Sequence, residues 1–234
     1  MSRPLPSPHR QLLGYLLDIG YGDLYRDKVV EVASEPAAQL FDEEAKGRRR
    51  ELEAVAAEAA GCERCALARG RKSVVFGSGD TNARLMFIGE GPGAQEDLTG
   101  LPFVGPAGAL LTRIIEAIGF DRDRVYIANI VKCRPPGNRN PKPEEAAECR
   151  SYLEAQVRLV QPEVIVALGR VAAQTLLDND LALGRMRGTW YRLQDVPLMV
   201  TYHPAALLRN VALKRPVWED MQQVRDRLAE GGSR

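Results

Sequence analysis

The sequence predicts an α/β protein built on a four-stranded parallel sheet with helices on both faces. Four short apolar runs lack the polar alternation of a half-exposed strand, and such runs are typical of strands buried on both sides. A helical stretch follows each run, and strands that alternate with helices favour a doubly wound sheet. The predicted strands are Leu85–Ile88, Val125–Ile127, Val164–Leu168 and Leu198–Thr201. The predicted helices are Ala107–Ile118, Pro143–Leu159, Val171–Leu177 and Pro216–Leu228.

The residues before the first strand predict an appendage and one further helix. A proline-rich start predicts disorder, and residues 11–27 have apolar residues at helical spacing with two interrupting glycines. Residues 33–41 predict a linker, and the Ala, Glu and Arg-rich stretch 43–60 predicts a helix that ends at Gly61. We therefore predict two parts: an N-terminal extension over 1–42, partly disordered or helical, and a main domain over 43–234.

Composition narrows the possible classes of protein. The chain has 234 residues, of which 45% are apolar, and this is enough for one large core. Its 32 basic and 31 acidic residues nearly cancel, so a nucleic-acid partner must be sought in local basic patches. No apolar run is long enough to span a membrane, and the start lacks the apolar core of a secretory signal. We expect a cytoplasmic protein that does not bind membranes.

Four cysteines indicate a metal site or a redox site. Cys62 and Cys65 form a C-x-x-C motif after the predicted helix, and Cys133 and Cys149 follow beyond the first two strands. The absence of a secretory signal disfavours disulfides, and no strand–helix–strand pattern follows the motif closely enough for a thioredoxin-like site. Four thiolates suit zinc or an iron–sulfur cluster equally, and the spacing leaves that choice open. Four unconnected thiols are the alternative.

A glycine-rich loop leaves the first strand and leads into a helix over residues 89–111. A dinucleotide-binding fingerprint is disfavoured, because the glycines lack the G-x-x-G spacing and because three carboxylates lie where a pyrophosphate would bind. The loop therefore favours a polar, neutral ligand. Phe103 lies in it and is either a plug beneath the loop or a stacking face for a flat ring. The three carboxylates are Glu90, Glu96 and Asp97.

Polar residues follow three of the predicted strands. Glu90 follows the first, Asn129 the second and His203 the fourth. Ligands of doubly wound sheets bind beyond the carboxyl ends of the strands, so we expect these three side chains to meet at one edge. Taken singly, an asparagine in a loop is usually a turn former and a lone histidine is usually structural. Their convergence is what predicts a site.

Four motifs in order resemble those of the family 4 uracil-DNA glycosylases, which carry an iron–sulfur cluster. The motifs are GEGPGAQED, LPFVGPAGALL, NIVKCRPPGNRNP and TYHPAALLRN, with C-x-x-C before them. The resemblance extends from about Cys62 to Leu228 and implies a three-layer α/β/α sandwich that excises uracil from DNA. Family members commonly have Ser where this chain has Ala205. A related branch that becomes covalently trapped on DNA has a basic insert after the third motif, and this chain lacks it.

The resemblance also implies a role for individual residues. It implies that Phe103 stacks on a flipped uracil, that Asn129 hydrogen-bonds its pairing edge, and that Glu90 and His203 serve catalysis. It further implies that a [4Fe-4S] cluster is bound by Cys62, Cys65, Cys133 and Cys149.

The chemistry of uracil release predicts the remaining contacts. A base in a duplex must be extruded before it can be excised, and stacking on an aromatic ring contributes about 1 to 3 kcal/mol toward holding it. We expect Glu96 to exclude the methyl group of thymine and the backbone around Gly91 to assist His203 at the uracil carbonyl. Leu208 beside Arg209 suits insertion into the minor groove, with packing of Leu207 and Leu208 in the core as the alternative. The expected phosphate-binding surface consists of Lys132, Arg134 and Arg139.

Three functions from different classes follow from these observations. The favoured one is a monomeric, monofunctional uracil-DNA glycosylase that acts on single- or double-stranded DNA. The second is a protein that binds or traps uracil-containing DNA without turnover. The third is a metal-stapled nucleotide-binding module, in which the residues at the strand ends are incidental.

Overall fold

Six strands form one sheet in the computed structural model, which describes the backbone of residues 35–231 and the side chains from residue 43 onward. The four central strands are parallel, as the sequence predicts. The predicted strand count was wrong, because a short antiparallel strand lies at each edge of the sheet. The strands, in the spatial order β1-β3-β2-β4-β6-β5, are β1 Ser78–Gly79, β2 Leu85–Gly89, β3 Tyr126–Asn129, β4 Val164–Leu168, β5 Trp190–Leu193 and β6 Val196–Thr201.

Eight α-helices surround this sheet within the described residues, and four of them match the predicted helices to within a few residues. The linker predicted over 33–41 was wrong from Glu35 onward, where α1 begins. Residues 1–34 of the predicted N-terminal extension lie outside the described residues. The helices are α1 Glu35–Ala60, α2 Ala94–Thr99, α3 Pro106–Ala117, α4 Pro143–Val160, α5 Arg170–Leu177, α6 Leu183–Met186, α7 Pro204–Arg209 and α8 Lys214–Gly231. None of them is long and apolar enough to cross a membrane.

Two apolar clusters, one on each face of the sheet, make the fold a three-layer sandwich. The side chains of β2 alternate between them, since Met86 and Ile88 join one cluster and Leu85 and Phe87 join the other. The first cluster is closed by α1, α4 and α5, and the second by α3, α7 and α8. All five residues of β2 and of β4 are buried, which explains why these strands lack polar alternation. The compact unit that contains the sheet spans Ala45–Arg234.

Candidate active site

The carboxyl ends of the parallel strands gather the residues predicted to act on a ligand. Gly89 of β2 is in register with Asn129 of β3, and Leu168 of β4 is in register with Thr201 of β6. Because neighbouring strands lie roughly 4.8 Å apart, the ends of β3 and β6 are separated by about 14 Å. Glu90 directly follows β2, between these two ends.

Phe103 bridges the gap between Asn129 and His203. The centroid of its ring lies 5.5 Å from that of the His203 imidazole, at an interplanar angle of 33°. Toward β3, a methyl group placed on Gly89 would lie 2.6 Å from Phe103 Cζ and 2.5 Å from Asn129 Oδ1. Only glycine at position 89 leaves room for the aromatic ring and the amide to approach each other. The structure thus brings together the predicted stacking residue, amide and imidazole.

The backbone of Phe103 is held in an unfavourable conformation. Its φ of 52° lies in the left-handed region, which costs a residue other than glycine about 1 to 2 kcal/mol. Two neighbours enforce it: a methyl group on Gly108 would lie 1.8 Å from the Phe103 carbonyl oxygen, and Arg122 Nη2 donates to the Pro102 carbonyl at 2.7 Å. The ring is only 7% exposed, as a plug would be. A plug does not require this backbone, and strain of this kind is concentrated at functional sites.

Asn129 presents a buried acceptor without a donor. Its side chain is 1% exposed, and its Oδ1 has no hydrogen-bond partner among the described residues. An unsatisfied buried oxygen costs about 1 to 3 kcal/mol. Its own carbonyl oxygen, in contrast, accepts a hydrogen bond from Lys132 Nζ at 2.8 Å. The backbone is therefore fixed while the amide oxygen remains available to a ligand that brings an N–H group.

His203 is held as a neutral imidazole whose proton is on Nε2. It is the N-cap of α7, and its Nδ1 accepts a hydrogen bond from the Ala205 backbone N–H at 3.2 Å. Burial and, to a smaller extent, the charge of Arg209 lower the pKa of His203 to about 4, and Glu96 partly opposes both. At neutral pH the ring is uncharged, and since Nδ1 is an acceptor, Nε2 is the donor.

Glu90 is the carboxylate at this edge of the sheet, and it is half-buried. Burial raises the pKa of Glu90, and the positive charge of Arg170 acts in the opposite direction. Arg170 is the exposed first residue of α5 and follows the end of β4. Sequence reasoning did not find Arg170, because its nearness to Glu90 depends on the adjacency of β2 and β4.

Glu96 ties the glycine-rich loop to the segment that carries Phe103. Its Oε1 accepts the backbone N–H groups of Val104 and Gly105, each at 2.9 Å, and its Oε2 accepts that of Gly93 at 3.1 Å. The predicted exclusion of thymine by Glu96 stays a prediction. The loop is also packed tightly at Gly91, where a methyl group would lie 2.8 Å from Val131 Cγ2.

The predicted phosphate-binding residues have different environments. Lys132 was wrongly placed on this surface: it is 1% exposed, and its Nζ donates to Gln156 Oε1 at 2.5 Å as well as to Asn129. Arg139 is engaged in a bidentate ion pair with Glu145 at 2.7 and 2.8 Å. Arg134 donates to Asn138 Oδ1 at 2.8 Å and is partly exposed.

The apolar pair after His203 divides between core and surface. Leu207 is 2% exposed and packs in the second apolar cluster, whereas Leu208 is 49% exposed. Arg209 next to it is exposed as well. The alternative that both leucines are core residues is therefore wrong for Leu208.

The four cysteines are free thiols, and they lie near enough to influence one another electrostatically. Cys133 and Cys149 are buried in the first apolar cluster, and burial raises the pKa of both thiols, to about 11 for Cys133. Both thiols lie near enough to Cys65 for the charge of Cys65 to raise their pKa values. Arg71 donates to Cys133 Sγ at 3.5 Å and to the Cys62 carbonyl at 2.6 Å. Within the part of the chain that the structure describes, no three His, Cys, Asp or Glu residues are grouped to hold a single metal ion.

A groove of about 680 Å³ lies apart from these residues, between α4 and α5. Arg170 lines it, but Glu90, Phe103, Asn129 and His203 do not. We assign the candidate site to the strand ends rather than to this groove, because the unpaired amide and the strained aromatic residue are found there.

Comparison with known proteins defines the class. Residues 76–222, which include every strand of the sheet, match the profile of the uracil DNA glycosylase superfamily. Relatives named type-4 uracil-DNA glycosylase narrow the class of protein from this superfamily to one family. That of Thermotoga maritima is 42% identical over 191 residues, covering 79% of this chain and 98% of the relative. That of Sulfurisphaera tokodaii is 40% identical over 184 residues, covering 75% and 84% respectively. The chain belongs to the type-4 uracil-DNA glycosylase family.

Proposed function

We propose that this protein hydrolyses the N-glycosidic bond of deoxyuridine in DNA, which releases uracil and leaves an abasic site for base excision repair. The unpaired Asn129 amide oxygen beside the Phe103 ring is the observation that carries this proposal. The names of the relatives agree with it. A monomer in the cytoplasm, with residues 43–234 as its catalytic domain, belongs to the same proposal.

Recognition of uracil follows from the two ends of the Asn129 amide. Its oxygen accepts the N3–H group of uracil, and its NH₂ group donates to the O4 carbonyl. Cytosine presents an acceptor at N3 and a donor at N4, so both hydrogen bonds are lost and buried polar groups remain unpaired. Rejection of this kind reaches about 10⁴-fold. Phe103 holds the plane of the base, and Glu96 excludes the methyl group of thymine.

Cleavage of the bond between C1′ and N1 leaves its electron pair on uracil and positive charge on the sugar. The neutral His203 donates from Nε2 to the O2 carbonyl, where the negative charge develops, assisted by backbone N–H groups near Gly91. Loss of one such donor typically slows a reaction by about 10² to 10³-fold. Glu90 orients the water that attacks C1′ and stabilises the cationic sugar, and the water loses its proton to this carboxylate or to solvent.

DNA is held by the exposed residues around this site. Leu208 fills the space vacated by the extruded nucleotide, and Arg209 and Arg134 contact phosphates. Arg139 contributes less, because its guanidinium is already paired with Glu145.

The four cysteines fit a [4Fe-4S] cluster, which we propose as the resident cofactor. Four free thiols that influence one another electrostatically suit the four thiolate ligands of such a cluster. It would be held by Cys62, Cys65, Cys133 and Cys149 and would act as a structural staple. We expect iron, and an absorbance near 400 nm, in the purified protein. A colourless protein containing zinc would contradict the cluster.

An Asn129→Ala variant tests the proposed activity. The substrate is an end-labelled oligonucleotide with one uracil, and the product is the alkali-labile abasic strand together with free uracil. We expect strong activity in the wild type and none above background in the variant. Asn82→Ala is the matched control, since Asn82 is exposed and precedes the amino end of β2, whereas Asn129 lies at the carboxyl end of β3. Retained excision by Asn129→Ala would refute the proposal, and a DNA complex that resists denaturation would favour trapping.

A further inference from the structure

We propose that Asp220, Arg187 and Thr201 form a buried brace that positions His203 for donation to the leaving base. This inference rests on the proposed glycosylase activity and adds positioning residues to it. The three residues come from α8, from the segment after α6 and from the end of β6. None of them is among the groups assigned above to the base, the sugar or the DNA.

The carboxylate of Asp220 is the centre of the brace. It is 0% exposed, and its Oδ1 accepts Arg187 Nη2 at 2.7 Å. Its Oδ2 accepts Arg187 Nε at 3.2 Å and the Thr201 hydroxyl at 2.7 Å. Arg187 Nη2 also donates to the Pro216 carbonyl at 2.7 Å. One buried carboxylate thereby connects the first turns of α8 to the end of β6.

The brace acts on the two residues that precede His203. Thr201 is the last residue of β6, and its carbonyl accepts the Gly169 N–H at 2.8 Å while its hydroxyl binds Asp220. The Arg187 guanidinium lies 5.9 Å from the centroid of the Tyr202 ring. The backbone that leads into the imidazole is therefore anchored on both of its sides. Gly169 completes the support, because a methyl group there would lie 2.9 Å from His203 Cβ.

Stability alone is a weak explanation for this arrangement. A buried ion pair contributes little net stability, because the cost of desolvating both charges offsets their attraction, and apolar replacements are often neutral. Burial raises the pKa of Asp220, whereas hydrogen bonds from Thr201 and Arg187 favour its charged form. A fixed ionic network does, however, define geometry, and a displacement of about 1 Å in a catalytic group can cost about 10²-fold in rate.

The hydroxyl of Thr201 provides a conservative test. Thr201→Val keeps the shape of the side chain and removes the donor to Asp220, and Thr201→Ser restores the donor. We expect Thr201→Val to lower the single-turnover rate of uracil release by about 10 to 100-fold while the Kd for uracil-containing DNA changes less than about twofold. Thr201→Ser should retain most of the rate. Asp220→Asn, which weakens the contacts to both partners, should lower the rate at least as much as Thr201→Val.

The ion pair between Arg84 and Glu163 is the matched control. It also reaches α8, because Arg84 Nη2 donates to the Leu228 carbonyl at 2.6 Å. It lies, however, at the amino ends of the central strands, away from His203. Glu163→Gln should change the melting temperature only slightly, because both side chains of this pair are 42% exposed, and it should leave the rate within about twofold. Equal rates in Thr201→Val and Thr201→Ser, or an equal rate loss in Glu163→Gln, would overturn the brace.

An NMR titration of His203 separates failure of the brace from failure of the proposed activity. If the wild type releases no uracil, the activity is refuted, and the imidazole still reports on the brace. We expect Thr201→Val to move the pKa of His203 toward its ordinary value and Thr201→Ser to leave it unchanged. An unchanged His203 pKa in Thr201→Val would count against the brace irrespective of activity.

Discussion

His203 makes the stability of this protein depend on acidity in a defined window. Its pKa in the folded protein is about 4, compared with 6.5 for an unperturbed histidine. The unfolded chain therefore binds the proton first as the pH falls, and protonation favours unfolding. The contribution of His203 to the free energy of unfolding is complete above pH 6.5 and is lost progressively as the pH falls to about 4. The difference between the two pKa values corresponds to roughly 3 kcal/mol.

The assay compares the wild type with His203→Gln, which cannot titrate in this range. Urea unfolding at pH 7, 5.5 and 4.5 gives the free energy of unfolding of each protein. The wild type should lose about 2 to 3 kcal/mol more than the variant between pH 7 and pH 4.5. The chain has only two histidines, so NMR can assign the imidazole of His203 by its absence from the variant. Titration of His203 near pH 6.5, or equal losses in both proteins, would refute a neutral, partly buried imidazole.

Three further predictions concern the pocket and the DNA surface. Gly89→Ala should fold, but its rate of uracil release should fall by at least about 10²-fold, because the added methyl group would lie 2.5 Å from Asn129 Oδ1. Full activity of this variant in a release assay would contradict the close packing. Leu208→Ala should weaken excision from duplex DNA more than from single strands at unchanged melting temperature, whereas Leu207→Ala should cost about 2 to 5 kcal/mol of stability. Arg134→Gln should reduce the slope of log affinity against log salt by about 1, and a binding titration at several salt concentrations would show no change if Arg134 does not contact phosphate.

The parallel centre of the fold could be predicted because its strands are buried on both faces. The edge strands could not, because β1 has two residues and β5 is only partly buried. The turn between β5 and β6 was also unrecognisable: Gln194 and Asp195 have φ values of 48° and 66°, which a turn sequence usually marks with glycine.

The residues that meet at the strand ends could be predicted from their positions, whereas their partners could not. Asn129 and His203 follow apolar runs, so the parallel sheet alone places them at one edge. Lys132 was misplaced because a lysine in a basic loop is usually exposed, and only the fold shows Gln156 opposite it. Glu96 and Asp220 each bind groups 8 or more residues away, and no local pattern contains those contacts; only the Glu96 contact to Gly93 is local.

The left-handed backbone of Phe103 has a thermodynamic consequence for the encounter with DNA. The ring is fixed before any base arrives, so its unfavourable conformation lowers the stability of the resting protein and is already present when association begins. Under the proposed function, a nucleotide that leaves its duplex meets an aromatic residue whose backbone already has its final conformation, so ordering that backbone does not weaken binding.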